Sequence, residues 1–226
     1  MLIPLTRKTY EQLIPAVATG DQYAYCWGKL ADVLKRVLIS AVVASVIALI
    51  NLISSSSTAP FLLVAGIIGF LYWFWGPVLT ASLRNLQCRR YPYSGFWQGR
   101  VLDVFITEEV VGEEETVNKR GELVIVDSLE QRINLEVGDR TGFTTYIQAP
   151  LRRSYQAIAP GQVALMVVMS DLEDLSIIAK CSDVYIPSQN LWVSDYPYLS
   201  KDVFIEVSRR IRSEIKRNKQ RGASQF

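Results

Sequence analysis

The stretch VLISAVVASVIALINLI (37–53), SSSSTAP (54–60) and FLLVAGIIGFLYWFWGPVLTASL (61–83) decides the fold, because none of its 47 residues is charged. Its two apolar parts are 17 and 23 residues long, and a helix needs about 20 mostly apolar residues to cross roughly 30 Å of hydrocarbon. Helices of soluble proteins seldom lack charge on every face. The sequence therefore predicts a transmembrane helical hairpin with spans at 37–53 and 61–83.

The charges that flank this hairpin predict its orientation. Lys35 and Arg36 stand directly before the first span, and Arg84, Arg89 and Arg90 follow the second, whereas the connecting loop has no charge. Basic residues favour the cytoplasmic side of a membrane. Both termini are therefore expected on the cytoplasmic or stromal side.

Small residues at helical spacing are the candidate packing positions of the two spans. Such residues let helix backbones approach closely, either on each other or on a partner's helix. These positions are Ala41, Ser45, Ala48, Ala65 and Gly69. The Gly76-Pro77 pair further predicts a kink near the end of the second span. No charged residue lies within either span, so no proton relay or ion site is predicted.

The residues before the hairpin, 1–36, predict a cytoplasmic or interfacial helical segment. Helical patterns cover 6–13 and 21–36, and Tyr23 and Trp27 share one face of the second. Aromatic residues in such a position are typical of a helix at headgroup level.

From residue 91 the hydrophobic pattern changes to a two-residue alternation, which indicates β-strands. The predicted strands are 100–106, 122–127, 132–137, 142–148 and 163–169, with shorter ones at 184–186 and 191–193. Short strands at this spacing predict a small antiparallel β-barrel or sandwich over 91–198, with OB-like and SH3-like closure both open. The acidic run 108–115 (EEVVGEEE) is interpreted as a solvated turn.

A basic C-terminal helix and tail, 199–226, complete the predicted α+β membrane protein. The apolar residues Val203, Val207, Ile211 and Ile215 recur every four positions, which indicates an amphipathic helix. Its cations are Arg209, Arg210, Arg212, Lys216, Arg217, Lys219 and Arg221. They are predicted to bind anionic lipid at the membrane surface, or else to solvate a helix docked on the β-rich domain. Nucleic acid is disfavoured, since residues 101–200 carry seven basic but sixteen acidic residues.

The composition argues against an enzyme. The chain has no His, which excludes Ser-His-Asp and Cys-His sites. Its three cysteines, Cys26, Cys88 and Cys181, are far apart in sequence and predict neither a metal site nor a disulfide framework. No carboxylate pair stands out as acid and base, so no catalytic residue, metal or cofactor is predicted.

Several runs carry a resemblance to a known family. They are YAYCWGKLADVLKR (23–36), GPVLTASLRN (76–85), RRYPYSGFWQGRVLDVFITEE (89–109), TVNKRGELVIV (116–126), LEVGDRTGFTT (135–145) and NLWVSDYPYLSKDVFIEVSRR (190–210). The chain thereby resembles an uncharacterised family of two-span thylakoid membrane proteins of cyanobacteria and plastids, whose members often carry the label phosphate ABC transporter permease. Two spans cannot form a permease core alone. The resemblance instead implies residence in the thylakoid and work on photosynthetic complexes.

The predicted function is that of a non-enzymatic assembly, stability or auxiliary factor of a photosystem or cytochrome bf complex. Its expected partners are the membrane, subunits of that complex and anionic lipids. Two alternatives remain open. The first is a small accessory subunit of a transporter or other multi-subunit membrane complex, and the second is a membrane-surface enzyme acting on lipid or pigment.

Overall fold

The computed structural model describes residues 1–53, 59–117 and 123–223, and it has the predicted α+β composition. The chain forms two compact units. A β unit consists of Met1–Tyr10 with Tyr91–Pro197, and a helical unit consists of Glu11–Arg90 with Tyr198–Phe226. Both units are discontinuous in sequence. Residues 1–10 belong to the unit formed mainly by the later part of the chain, and residues 198–226 belong to the unit formed mainly by the earlier part.

Six helices belong wholly or partly to the helical unit. They are α1 (Arg7–Leu13, which crosses the unit boundary), α2 (Gly20–Trp27), α3 (Leu30–Ile53), α4 (Ala59–Phe70), α5 (Tyr72–Arg89) and α6 (Lys201–Ala223). α2 begins at a capping box, in which Thr19 and Gln22 satisfy each other's backbone N–H groups.

The second predicted span is two helices rather than one. α4 and α5 are bent by 73° at Leu71, and α5 continues through Pro77. The prediction of a kink at Gly76-Pro77 stays a prediction. At the bend, the Ile68 carbonyl accepts from the Trp75 indole N–H at 2.9 Å.

Among the described residues, one helix is by itself long and apolar enough to cross a membrane. This is α3, whose most apolar window has a mean hydropathy of 2.3 and is only 6% buried. α4 and α5 meet the same criterion only when the bent pair is taken as a single span.

The β unit is an antiparallel sheet, as predicted. Its strands are β1 (Leu2–Pro4), β2 (Tyr93–Val117), β3 (Leu123–Gly138), β4 (Thr144–Pro150), β5 (Val163–Ser170), β6 (Lys180–Cys181), β7 (Val184–Ile186) and β8 (Leu191–Val193). The order is β4-β3-β2-β5-β7-β8, with β1 also paired to β2 and β6 to β5. A one-turn 3-10 helix, Arg153–Ala157, joins β4 to β5.

Two differences from the predicted strands stand out. β1 lies in the segment predicted to be helical, and its residues Leu2–Pro4 pair with Gly95–Trp97. The acidic run 108–115 is not a turn but part of β2, because it pairs with β3 on both sides of a register shift at Val111. The sequence between β2 and β3, 118–122, is predicted to begin with a turn at 118–121 and lies outside the described residues.

One face of the sheet encloses the core of the β unit. The core includes Trp97, Leu135, Ala149, Met166 and Val193, each at most 1% exposed. Gly99 permits close packing here, since a Cβ at this position would lie 2.1 Å from Cη2 of Trp97 and 2.4 Å from the Gly138 carbonyl oxygen.

Candidate interaction surfaces

The outer surface of α3 and α4 is almost entirely apolar. Leu52 and Ile53 at the end of α3 are 82% and 88% exposed, and Phe61 in α4 is 79% exposed. Further exposed apolar side chains are Val37, Leu38, Ile39, Val42, Val43, Val46, Leu49 and Ile50 of α3, and Leu63, Val64, Ile67, Ile68 and Phe70 of α4. A contiguous apolar surface of this extent is typical of a protein or membrane interface.

α3 and α4 pack through two glycines. A Cβ at Gly69 would lie 2.6 Å from Cγ1 of Val43, and one at Gly66 would lie 3.4 Å from Cγ2 of Ile47. The missing glycine side chains thus allow the β-branched residues of α3 to approach the backbone of α4.

The predicted packing residues are therefore only partly brought together. Gly69 lies at the contact between the helices, and Ala48 lines a cavity of about 360 Å³ between them together with Asn51. Ala41, Ser45 and Ala65 are instead exposed. On α3 the contact is made by Val43 and Ile47, and on α4 it is made by Gly66 beside the predicted Gly69.

A side chain of α3 completes the bend between α4 and α5. The Ser40 hydroxyl accepts from the backbone N–H of Trp73 at 3.0 Å, and Ser40 is 1% exposed. A backbone N–H left without a partner in an apolar environment costs several kcal/mol. Ser40 therefore stabilises the bend and joins α3 to the start of α5.

Aromatic rings join α2 to α5 beside this bend. The Trp27 ring lies 5.5 Å from that of Tyr23 and 6.0 Å from that of Trp73. Arg36 places its guanidinium 5.4 Å from the Trp27 ring centroid and donates to the carbonyl oxygens of Cys26, at 2.9 Å, and Trp27. This cation before the apolar part of α3 is thereby fixed to the end of α2.

Two buried amides bind each other in the interior of the helical unit. Gln22 Nε2 donates to Asn85 Oδ1 at 3.0 Å, and Asn85 Nδ2 donates to Gln22 Oε1 at 2.8 Å. Gln22 also donates to the Tyr198 carbonyl at 3.1 Å and accepts from the Thr19 N–H at 3.0 Å. The pair connects α2, α5 and the segment before α6, and its members are fully buried.

The basic helix α6 belongs to the helical unit, where Phe204, Val207 and Ser208 are buried. Its predicted lipid-binding cations differ in their surroundings. Arg210 pairs with Glu206 at 3.0 Å, and Arg212 donates to the Ser208 carbonyl at 3.2 Å. Arg209 and Arg217 are exposed, whereas the side chains of Lys216, Lys219 and Arg221 lie outside the described part of the structure.

The distal part of the β2–β3 pair extends beyond the rest of the sheet. β5 pairs with β2 only up to Arg100, and β4 pairs with β3 only from Arg132 onward. Residues 108–117 and 123–131 thus form a two-stranded extension, here named the acidic ribbon because it carries seven carboxylates and no basic residue. Ten strand residues span about 33 Å.

An exposed apolar pair lies on the acidic ribbon. Val110 opposes Leu129 across the two strands, and these side chains are 57% and 60% exposed. The neighbouring Glu109 faces Glu130 across the strands, but its carboxylate pairs with Arg132 at 3.4 Å. A two-stranded ribbon is marginally stable alone in water.

Asp139 lines a cavity of about 380 Å³ in the β unit and binds several polar groups beside it. Its carboxylate accepts from Trp97 Nε1 at 3.0 Å, from the Met1 ammonium at 3.0 Å, and from the backbone N–H and hydroxyl of Thr141. Burial raises the pKa of Asp139, but the hydrogen bonds and the positive charge outweigh it and lower the pKa to about 2. The cavity is lined by Leu2, Trp97, Asp139, Thr141, Phe143, Leu175, Ser176 and Ile178.

Some of these features gave little signal in the sequence. Ser40 is one of several serines in an apolar run, and Gln22 and Asn85 are 63 residues apart.

These surfaces define an α+β protein with an apolar outer surface on its helical unit and an acidic ribbon on its antiparallel β unit. Within the described residues, no group of three or more His, Cys, Asp or Glu could hold a metal ion. The chain belongs to the family of unknown function DUF8619, whose profile matches residues 3–217. Neither the curated proteins nor the solved structures that were searched contain a match.

Proposed function

We propose that this chain is a non-enzymatic integral membrane protein that acts as an assembly, stability or auxiliary factor of a photosynthetic membrane complex, a photosystem or the cytochrome bf complex. The observation that carries the proposal is the exposed apolar surface of α3 and α4. In water this surface would aggregate, whereas lipid or the helices of a membrane complex would cover it. The thylakoid membrane is proposed from the sequence resemblance.

The membrane element of this proposal is a hairpin of α3 with α4 and α5, inserted from the cytoplasmic or stromal side. Lys35 and Arg36 at one end and Arg84, Arg89 and Arg90 at the other support this orientation. The β unit would then lie on the same side. A core that unites β3 and β4 with β8 supports a sheet curled towards a barrel.

The acidic ribbon is the proposed protein-docking surface. Its carboxylates would attract a basic subunit, and Val110 with Leu129 would supply the apolar contact at the centre of the interface. The proposal thus assigns lipid and membrane helices to the helical unit, and a subunit of the complex to the β unit.

Affinity purification tests this assignment. The tagged full chain is expressed in its native host, and membranes are solubilised in a mild detergent. Subunits of one photosynthetic complex should co-elute with the wild-type chain and be lost from a Val110→Lys, Leu129→Lys variant. Ile177→Lys, at an equally exposed apolar position of the β unit, should retain them.

Other outcomes decide between the functions. Co-elution of transporter subunits would replace the proposal by an accessory transporter role. Extraction of the chain from membranes by alkaline carbonate would contradict membrane insertion itself. Co-elution that is equal for both variants would leave the acidic ribbon without a role in docking.

A further inference from the structure

We infer that the α3–α4 hairpin enters the membrane without crossing it, and that α5 lies along the interface with Leu79, Leu83 and Leu86 against the acyl chains. The inference rests on the proposed membrane function and specifies which part of the helical unit contacts lipid, and at what depth. It replaces the two-span topology by an insertion from one side.

The length of the hairpin is the first argument. Ser40 binds Trp73 at the bend, so these two residues lie at the same depth. From Ser40 to the end of α3 the helix rises about 20 Å, and the 12 residues of α4 rise about 18 Å. The following residues, 54–58, are Ser and Thr and add no apolar length. The hydrocarbon core is about 30 Å thick, so a hairpin that enters at the Ser40–Trp73 level ends inside it.

The chemistry of the bend places this level at the headgroups. Trp73 and Trp75 lie here, and tryptophan is enriched where lipid meets water. A break in a helix leaves backbone groups that hydrocarbon cannot satisfy. Here the Ser40 hydroxyl and the Trp75 indole satisfy two of them, which suits a bend at the edge of the hydrocarbon.

The two faces of α5 are the third argument. Leu79, Leu83 and Leu86 recur at i, i+4 and i+7 and are 46%, 51% and 47% exposed. The opposite face buries Pro77, Ala81, Asn85 and Cys88. A helix with one face on protein and a leucine row on the other fits between the protein and the lipid surface.

The remaining apolar residues of α3 fit the same geometry. Val37, Leu38 and Ile39 precede Ser40 and are exposed, and they raise the apolar length above the bend by about 5 Å. This added length of about 5 Å is close to the radius of an α-helix including its side chains. They therefore lie at the depth of an interfacial α5, and Arg36 reaches the headgroups.

Lipid quenching of single-cysteine variants measures these depths. In a Cys26→Ser, Cys88→Ala, Cys181→Ala background, a bimane label is attached at Ile53→Cys, Leu83→Cys or Ile177→Cys. The full chain is reconstituted in phosphatidylcholine–phosphatidylglycerol vesicles with nitroxides either at the headgroup or deep in the acyl chain. Sealed membranes from the native host are treated in parallel with a membrane-impermeant maleimide from each side.

The inference predicts a distinct result for each position. The label at residue 53 should be quenched most by the deep nitroxide, and Ile53→Cys should react with maleimide from neither side until detergent is added. The label at residue 83 should be quenched most by the shallow nitroxide. The label at residue 177, in the β unit, should be quenched by neither.

Three outcomes would overturn the inference. Maleimide labelling of Ile53→Cys from the far side would show that the hairpin crosses, while the proposed membrane function would stand. Deep quenching at residue 53 without quenching at residue 83 would show that the leucines of α5 do not contact lipid. Quenching at neither residue, together with extraction by carbonate, would contradict both the inference and the proposed function.

Discussion

The two compact units of this protein differ in the side chains that they expose and in where their buried polar groups lie. The β unit has an apolar core enclosed by its sheet, as expected for folding in water. The helical unit buries Gln22, Ser40 and Asn85, all at most 1% exposed, and exposes Leu52 and Ile53 almost completely. The stability of the β unit should therefore depend mainly on apolar packing, and that of the helical unit on buried hydrogen bonds in addition to its buried apolar residues.

The largest effect is expected from overpacking the β unit at Gly99. Gly99→Ala would place a Cβ 2.1 Å from the Trp97 ring and 2.4 Å from a backbone oxygen, which cannot move away independently. We expect a loss of about 3 kcal/mol of unfolding free energy. Urea unfolding of the full chain in dodecylmaltoside, followed by circular dichroism at 217 nm, measures it.

Gly112→Ala is the matched control for this change. It also lies in β2, but a Cβ there meets no atom within 4 Å, so its unfolding midpoint should stay near that of the wild type. Equal midpoints for the two alanine variants would show that packing around Trp97 does not limit the stability of the β unit.

The next largest effect is expected from a polar side chain inside the helical unit. Asn85→Leu removes both hydrogen bonds with Gln22 and leaves a buried amide without these partners. The expected loss is about 2 kcal/mol, although leucine is the more apolar residue. Thermal loss of the helical signal at 222 nm, in detergent, measures it.

Gln87→Leu tests whether this loss comes from burial. Gln87 lies two residues further along α5 and is exposed, so its replacement should change the melting temperature little. If both leucine substitutions lower the melting temperature equally, the loss in Asn85→Leu does not come from the buried amide pair.

Much of the fold follows from local pattern, and the elements that were missed depend on distant contacts. The charge-free run predicts α3, and runs of alternating or β-branched apolar residues predict most strands, including β5, which is buried on both faces. β1 is only three residues long and is stabilised by pairing with residues 95–97, a contact that no local pattern reveals.

The bend at Leu71 was missed for the same reason. Its partner Ser40 is 33 residues away, a contact that no local pattern reveals. The candidate surfaces also divide into those visible in the sequence and those that depend on distant contacts. The apolar helices and the basic α6 are visible in composition, but the ribbon, the buried amides and the Asp139 site require the pairing of β2 with β3 and of α2 with α5.

The electrostatics of the β unit should respond to pH through Asp139. Its folded-state pKa of about 2 lies below the ordinary value of 3.8. The ionised carboxylate therefore contributes its full stability above about pH 4 and loses it as the pH falls through 2. We expect Asp139→Asn to cost about 1.5 kcal/mol near neutral pH, and this cost to shrink between pH 4 and pH 2.

Urea unfolding of both proteins across this pH range, monitored at 217 nm, tests the expectation. Asp171→Asn is a suitable control, because Asp171 is an exposed carboxylate of the same unit, and the cost of its replacement should stay small at every pH. A cost of Asp139→Asn that is constant from pH 7 to pH 2 would contradict a role for the ionised carboxylate.

The smallest effect concerns α6, the basic helix of the helical unit. Arg217 is exposed, whereas Arg210 is engaged by Glu206 and Arg212 by Ser208. If α6 lies at an anionic surface, each cation close to lipid contributes at most about 1 kcal/mol.

A fluorophore at Ser213→Cys, in the cysteine-free background, and an acceptor on the lipid headgroups report the distance of α6 from the membrane. Energy transfer should be greater in anionic than in zwitterionic vesicles, and it should fall as the screening length shortens from about 30 Å at 0.01 M salt to about 8 Å at 0.15 M. Arg217→Gln should lower the transfer at low salt more than Arg210→Gln, because the paired Arg210 has part of its charge compensated. Transfer that ignores both salt and lipid charge would mean that apolar contacts hold α6 at the surface, and equal low transfer in all vesicles would mean that its cations only solvate the helix.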